Sequence, residues 1–180
     1  MMLKLLRKFC KEGTFISMYT NQTDSDAFTF CKAVLVHDEF SVVLMEHPSG
    51  NFDGIQMLQN DLILRIETDD RYAEKMAILR QAHPWEEPDL SALAECTPEA
   101  MLRYLMENKR ICSAEILDSG TQDAFGFVES IEGDICKLAL LDRYGYRDGV
   151  CYLPIPHLTR IAFGSEEHQI LETLWNARQG

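Results

Sequence analysis

Residues 149–163 read Gly-Val-Cys-Tyr-Leu-Pro-Ile-Pro-His-Leu-Thr-Arg-Ile-Ala-Phe, and this stretch decides the fold. Two runs rich in β-branched and aromatic residues flank a turn that carries Pro154 and Pro156. Proline cannot donate a hydrogen bond to a β-ladder, so it marks the end of a strand. The stretch therefore predicts a strand, a tight turn and a second strand.

An earlier stretch, which begins at Asp53 and ends at Glu67, carries the same pattern in weaker form. Four identical pairs share one offset of 95 positions (148 − 53): Asp53 and Asp148, Leu58 and Leu153, Arg65 and Arg160, and Ile66 and Ile161. One offset that recurs four times in so short a window indicates an internal repeat. We predict that one small β module is present twice.

The composition is that of a globular protein, with 46% hydrophobic and 26% charged residues among 180. No apolar run approaches the roughly 20 residues that a membrane span needs, so we expect no membrane association. The six cysteines form no CxxC motif, and the N-terminus has no signal-peptide pattern. We therefore expect reduced thiols, no metal site, no cofactor and a cytoplasmic location.

The net charge of −12 is unfavourable for binding a polyanion. Nucleic acids are bound by neutralising phosphates with Lys and Arg, and this chain has 29 acidic against 17 basic residues. The N-terminal segment is the basic exception, with four cations before the first acid: Lys4, Arg7, Lys8 and Lys11.

The pattern along the chain predicts a mainly β protein with helices. Residues 1–82 and 97–180 each read as a short helix, five strands and a following helix, and residues 83–96 read as a Pro-containing acidic linker. Three polar residues suit the N-caps of the predicted helices: Asp70, Thr97 and Ser165.

A short helix followed by five bent antiparallel strands, with a tight turn between strands four and five, resembles the Sm-like variety of the small SH3-type barrel. The resemblance covers about 15–67 and 110–163, and it is clearest in the segments 125–131, 135–142 and 152–161. The C-terminal barrel of the bacterial ribosome-maturation factor has a similar ending, with a strand, a Pro-Ile turn and a second strand. The resemblance implies two tandem five-stranded barrels.

Sm-like proteins typically bind RNA with the loops between strands two and three and between strands four and five. In this chain the first of these loops is acidic in both copies, at His37-Asp38-Glu39 and Glu132-Gly133-Asp134. The other loop reads Gln59-Asn60-Asp61 and Pro154-Ile155-Pro156-His157, without the cationic ending of the relatives.

The candidate partner-binding residues are Tyr144, Tyr146, Arg147 and His157. Two tyrosines and an arginine on a glycine-containing loop are residue types that anchor protein interfaces, and they also stack nucleic-acid bases. A third interpretation is that Tyr146 only covers the end of the barrel. No combination of nucleophile, base and acid suggests catalysis.

The sequence thus favours a non-catalytic intracellular interaction module that binds a protein partner, or a second copy of itself, through barrel loops. The alternative is an RNA-binding Sm-like protein that uses the basic N-terminal helix and the Tyr144–Arg147 loop.

Overall fold

The computed structural model describes residues 1–117 and 123–179. Contacts divide the chain into two compact units, Met1–Cys96 and Thr97–Gly180. The described residues form a mainly β, antiparallel structure with flanking α-helices.

The first unit contains two helices and five strands. In chain order they are α1 (Met2–Glu12), β1 (Phe15–Tyr19), β2 (Thr29–Val36), β3 (Phe40–Glu46), β4 (Phe52–Gln59), β5 (Arg65–Glu67) and α2 (Arg71–Ala82). A 3₁₀ turn, Asn60–Leu62, joins β4 to β5, and a second one, Ser91–Leu93, follows α2.

The second unit has the same order of elements. They are α3 (Pro98–Glu107), β6 (Ile111–Ile116), β7 (Ala124–Glu132), β8 (Ile135–Leu141), β9 (Arg147–Pro154), β10 (Leu158–Phe163) and α4 (Glu166–Gln179). A 3₁₀ turn, Ile155–His157, joins β9 to β10. Asp53 and Asp148 are each the second residue of the fourth strand of their unit.

Strands lie in the order β5-β1-β2-β3-β4 in the first unit and β10-β6-β7-β8-β9 in the second. Neighbouring strands are antiparallel, and the register shifts between the second and third strands and between the third and fourth strands of both units. Such bulges bend a strand.

The closed barrel expected from the sequence is not formed. Among the described residues, the first and last strands of each order do not pair with each other, so each five-stranded sheet stays open. In the first unit the fifth strand is shorter than the sequence pattern indicates, because the 3₁₀ turn takes up Asn60–Leu62 and the strand begins only at Arg65. Three residues leave little backbone for a second ladder.

Each sheet packs its apolar face against helices. In the first unit Leu6 of α1 is fully buried on a cluster formed by residues of the first four strands and of the segment before β5: Ile16, Met18, Cys31, Ala33, Val43, Leu58 and Ile63. In the second unit Leu171, Leu174 and Trp175 of α4 pack with strand residues, namely Ile111, Phe125, Phe127 and Leu141.

Polar side chains fix the helix starts that the sequence predicts. Asp70 accepts a hydrogen bond from the Ala73 amide at α2, and Thr97 accepts one from the Ala100 amide at α3. These bonds satisfy amides that have no partner inside the helix.

The segment 83–96 belongs to the first unit. Lys32 of β2 forms an ion pair with Glu87, and the Trp85 ring contacts Phe15 and Phe52 at centroid distances of 6.2 and 5.2 Å. No helix in the described ranges is long and apolar enough to cross a membrane.

In each unit the loop before the fourth strand lies directly on the helix that follows the fifth strand. Gly50 and Gly145 both have positive φ angles, of +88° and +78°. A Cβ atom added to Gly50 would lie 2.5 Å from Leu79 Cβ, and one added to Gly145 would lie 2.7 Å from Leu174 Cβ. Both glycines are therefore required by backbone conformation and by space.

We predict that Gly145→Ala lowers the free energy of unfolding by about 2–5 kcal/mol, from the left-handed backbone and the contact with Leu174 together. Gly149→Ala is the matched control, because Gly149 has a φ of +88° but nothing within 4 Å of an added Cβ. It should cost only about 1–2 kcal/mol. Urea unfolding measures the free energy of unfolding of both variants. Equal losses in the two variants would show that the contact with Leu174 is not the cause.

His168 is buried near the start of α4. Its ring stacks on Phe125 with centroids 4.7 Å apart, and Nδ1 lies 2.5 Å from Ser165 Oγ. Burial lowers the pKa of His168 to about 4, because the charged imidazolium loses its water there.

The low pKa predicts a loss of stability in acid. The unfolded chain, with a histidine pKa of about 6.5, binds the proton more tightly, so the contribution of His168 is complete above about pH 6.5 and declines as the pH falls toward 4. By linkage, about 2 kcal/mol should be lost at about pH 5. His168→Gln should remove this part of the pH dependence in denaturant titrations, while His83→Gln, at an exposed position, should retain it.

Candidate functional site

The loop between β8 and β9, residues 142–146, holds two of the four candidate residues, Tyr144 and Tyr146, and is closed by Asp142. The Asp142 carboxylate accepts hydrogen bonds from the amides of Tyr144 and Tyr146, both at 2.9 Å. Its backbone amide donates to the Tyr146 carbonyl at 2.9 Å, and its carbonyl accepts from the Gly145 amide at 3.0 Å. One side chain thus holds the backbone of both tyrosines.

Two arginines support the tyrosine rings. The Arg143 guanidinium lies 4.7 Å from the Tyr144 ring centroid, and the Arg178 guanidinium lies 4.0 Å from that of Tyr146. Arg178 Nε also donates to the Tyr144 carbonyl at 2.9 Å. Tyr144 and Tyr146 remain 53% and 55% exposed, so the two residues contact cations and are still accessible from solvent.

The sequence predicts that Arg147 belongs to the loop. In the structure it is instead the first residue of β9. Its guanidinium is 2.6 Å from Glu129 Oε1, and Lys137 Nζ is 2.9 Å from Glu129 Oε2. The hydrogen bond from Lys137 and the nearby charge of Arg147 lower the pKa of Glu129, and Glu129 in turn raises the pKa of Lys137. Arg147 is therefore held by a carboxylate that two cations share.

A small cavity of about 230 Å³ lies beside this ion pair. Its wall combines charged and aromatic side chains, including Lys109, Phe127, Glu129, Arg147 and Trp175. The Phe127 and Trp175 rings contact each other at 5.3 Å.

Strand β9 adds exposed apolar side chains that the sequence analysis did not select. Tyr152 is 65% exposed and Val150 is 38% exposed. Leu153, which follows them in β9, is buried. Within the second unit β9 is the last strand of the order and is paired there with β8. The alternation of Val150, Cys151, Tyr152 and Leu153 is the sequence signal for this outward face.

His157 is exposed but stands apart from the other three candidates. It ends the 3₁₀ turn that follows β9, whereas the tyrosine loop precedes β9. The eight residues of β9 separate the two ends by about 25 Å at 3.3 Å per residue. The structure therefore brings Tyr144, Tyr146 and Arg147 together and leaves His157 at the opposite end of the strand.

The cysteines are all free, and four of them are buried. Burial raises the pKa of Cys31 to about 12 and those of Cys96 and Cys136 to about 11, and it also raises the pKa of Cys112. Thiols with such pKa values stay protonated near neutral pH and are weak nucleophiles. In the ranges 1–117 and 123–179, no three His, Cys, Asp or Glu side chains are grouped so that they could hold a metal ion.

Comparisons of this chain with family models, with curated proteins and with solved structures found no match.

We predict that Asp142→Ala loosens the tyrosine loop. It removes the acceptor of two amide hydrogen bonds, so the free energy of unfolding should fall by about 2 kcal/mol and hydrogen exchange at the Tyr144 and Tyr146 amides should accelerate. Asp142→Asn keeps one acceptor oxygen and should lose less. Exchange rates that stay at the wild-type values in Asp142→Ala would show that the carboxylate does not hold the loop.

Proposed function

We propose that this chain is a non-catalytic interaction module that binds a protein partner through the β8–β9 loop and the outward face of β9. The observation that carries the proposal is the set of four exposed apolar side chains on this loop and strand: Tyr144, Tyr146, Val150 and Tyr152. Exposed aromatic residues that adjoin one another mark interaction surfaces on proteins.

The geometry supports a protein as the occupant. Tyr144 and Tyr146 are held by Asp142, Arg143 and Arg178, so their rings would lose little conformational freedom on binding. An extended segment of a partner would pair with the backbone of β9 and cover Val150 and Tyr152, in the manner of strand addition to a sheet edge.

We further propose that both units are copies of one Sm-like module in a cytoplasmic protein. The support is the shared order of elements, with a helix, five antiparallel strands and a 3₁₀ turn between the fourth and fifth strands. The glycine contacts support it independently, since Gly50 and Gly145 meet Leu79 and Leu174 in the same way.

RNA binding is the second candidate, and one observation favours it. Tyrosine rings that carry guanidinium groups, as at Tyr144 and Tyr146, are suitable platforms for bases. Against it stand the net charge of −12 and the ion pairs in the basic N-terminal helix, where Arg7 meets Asp38 and Lys8 meets Glu12. Cations that are already paired neutralise fewer phosphates.

The proposal predicts that the double variant Tyr146→Ala/Tyr152→Ala loses its partner. Proteins captured by the wild-type chain from cell extract would be identified by quantitative mass spectrometry, and the purified partner would be titrated by calorimetry. We expect affinity to fall at least about 30-fold, as for the loss of a binding hot spot.

Ile78→Ala is the matched control, because Ile78 is an exposed apolar residue on α2 of the first unit. Its binding should equal that of the wild type. Light scattering at several concentrations separates a foreign partner from a second copy of this chain. If the captured ligand is nucleic acid, and if ribonuclease or high salt releases it, the proposal is wrong and the RNA-binding alternative is favoured.

A further inference from the structure

The first unit contains a second feature that the proposed partner site does not use. A cavity of about 530 Å³ lies beside β2, the end of β3 and the first turn of α2. This volume is in the range of small-molecule sites in proteins. The wall includes three aromatic and three acidic side chains: Phe28, Phe30 and Tyr72, and Asp26, Glu46 and Asp53.

The Tyr72 ring lies at a steep angle to the rings of both Phe28 and Phe30. The centroids of Phe28 and Tyr72 are 5.0 Å apart with an interplanar angle of 87°, and those of Phe30 and Tyr72 are 5.4 Å apart at 73°. Phe28 is 38% exposed although it lies in a well-packed unit. The cavity therefore offers π surfaces from two different directions.

The charged side chains that line the cavity are acidic, and two cations contact this wall from outside the lining: Arg80 at Glu46 and Lys75 at the Tyr72 ring. The described residues that line the cavity include no Lys or Arg. The Glu46 side chain is fully buried, and its Oε2 accepts a hydrogen bond from Arg80 Nε at 2.8 Å, whereas Oε1 has no hydrogen-bond partner. A buried carboxylate oxygen without a partner is costly, and a cation in the cavity would offset part of that cost.

Tyr72 already accepts an ammonium group on its ring. Lys75 Nζ, from the exposed side of α2, lies 5.1 Å from the Tyr72 centroid. Burial, together with the charges of Glu46 and Asp70, raises the pKa of the Tyr72 phenol. The ring therefore stays neutral at physiological pH.

We propose that this cavity binds an organic ammonium group, and that it prefers the methylated forms. Aromatic walls attract the diffuse charge of a methylated ammonium and tolerate its lack of hydrogen-bond donors. Carboxylates around the rim add a long-range attraction. A bare metal ion fits the site poorly, because in the described part of the chain no three His, Cys, Asp or Glu side chains are grouped so that they could hold one.

The first test compares two probes of equal shape on the full chain. Choline carries the charge, and 3,3-dimethyl-1-butanol replaces its nitrogen with carbon. In titrations followed by NMR, choline should shift the signals of Phe28 and Tyr72 and should bind at least about tenfold more tightly than the neutral probe. Equal binding of the two probes would overturn the proposal, and so would the absence of choline binding up to about 10 mM.

Two substitutions test the wall itself. Phe28→Leu keeps apolar bulk but removes a ring, so choline binding should weaken about threefold to tenfold. Asp53→Asn removes a charge and should also weaken binding. Asp148→Asn is the matched control, because Asp148 holds the corresponding place in β9 and does not line this cavity.

Thermal unfolding checks that Phe28→Leu and Asp53→Asn stay folded. If both variants fold and both bind choline as tightly as the wild type, the cavity is not the site and the proposal is wrong.

The natural source of the ammonium group is settled by a third probe, N-acetyl-trimethyllysine N-methylamide. Binding that is at least tenfold tighter than that of choline would assign the cavity to a modified lysine of a protein. Comparable or weaker binding, with choline still bound, would assign it to a free small molecule. Either result supports ammonium recognition, whereas binding of neither probe contradicts it.

Discussion

The constraint on which the rest of the structure depends is the contact between a loop glycine and the following helix. In each unit the glycine between the third and fourth strands has a positive φ and leaves no room for a Cβ atom against a helix leucine. The loop and the helix are therefore fixed to each other. Around Gly145 this contact places Arg178 of α4 on the Tyr146 ring, and around Gly50 it brings Arg80 of α2 to Glu46.

The two units use this arrangement with different chemistry. In the first unit Arg80 pairs with the buried Glu46. The residues 95 positions after these two are Trp175 and Leu141, and both pack in an apolar cluster of the second unit. A buried ion pair and a well-packed apolar pair can replace one another at little net cost. The aromatic contacts of the two units differ as well. Phe30 contacts Tyr72 beside a cavity with acidic side chains, whereas Phe127 contacts Trp175.

Much of the fold follows from local sequence signals, and the sites follow only in part. The cap residues Asp70 and Thr97 predict the helix starts, because their side chains act on amides three residues away. The sequence predicts Arg147 in a loop, because a charged residue before Asp-Gly gives no sign that pairing with β8 begins there. The open sheets depend on pairing between distant strands, which no local pattern encodes. The cavity is equally nonlocal, as its wall joins Asp26, Glu46 and Tyr72.

The charge distribution around the two proposed sites differs, and it suits them to different classes of partner. A chain with a net charge of −12 attracts cations, and the cavity at Phe28 combines acidic side chains with aromatic rings. The tyrosine loop is locally basic, but each neighbouring cation has a partner within the unit: Arg143 on Tyr144, Arg178 on Tyr146, and Arg147 and Lys137 on Glu129. Cations used in this way position aromatic rings more than they attract phosphate. The loop is therefore suited to contact through ring surfaces, and this favours a protein over a polyanion as its partner.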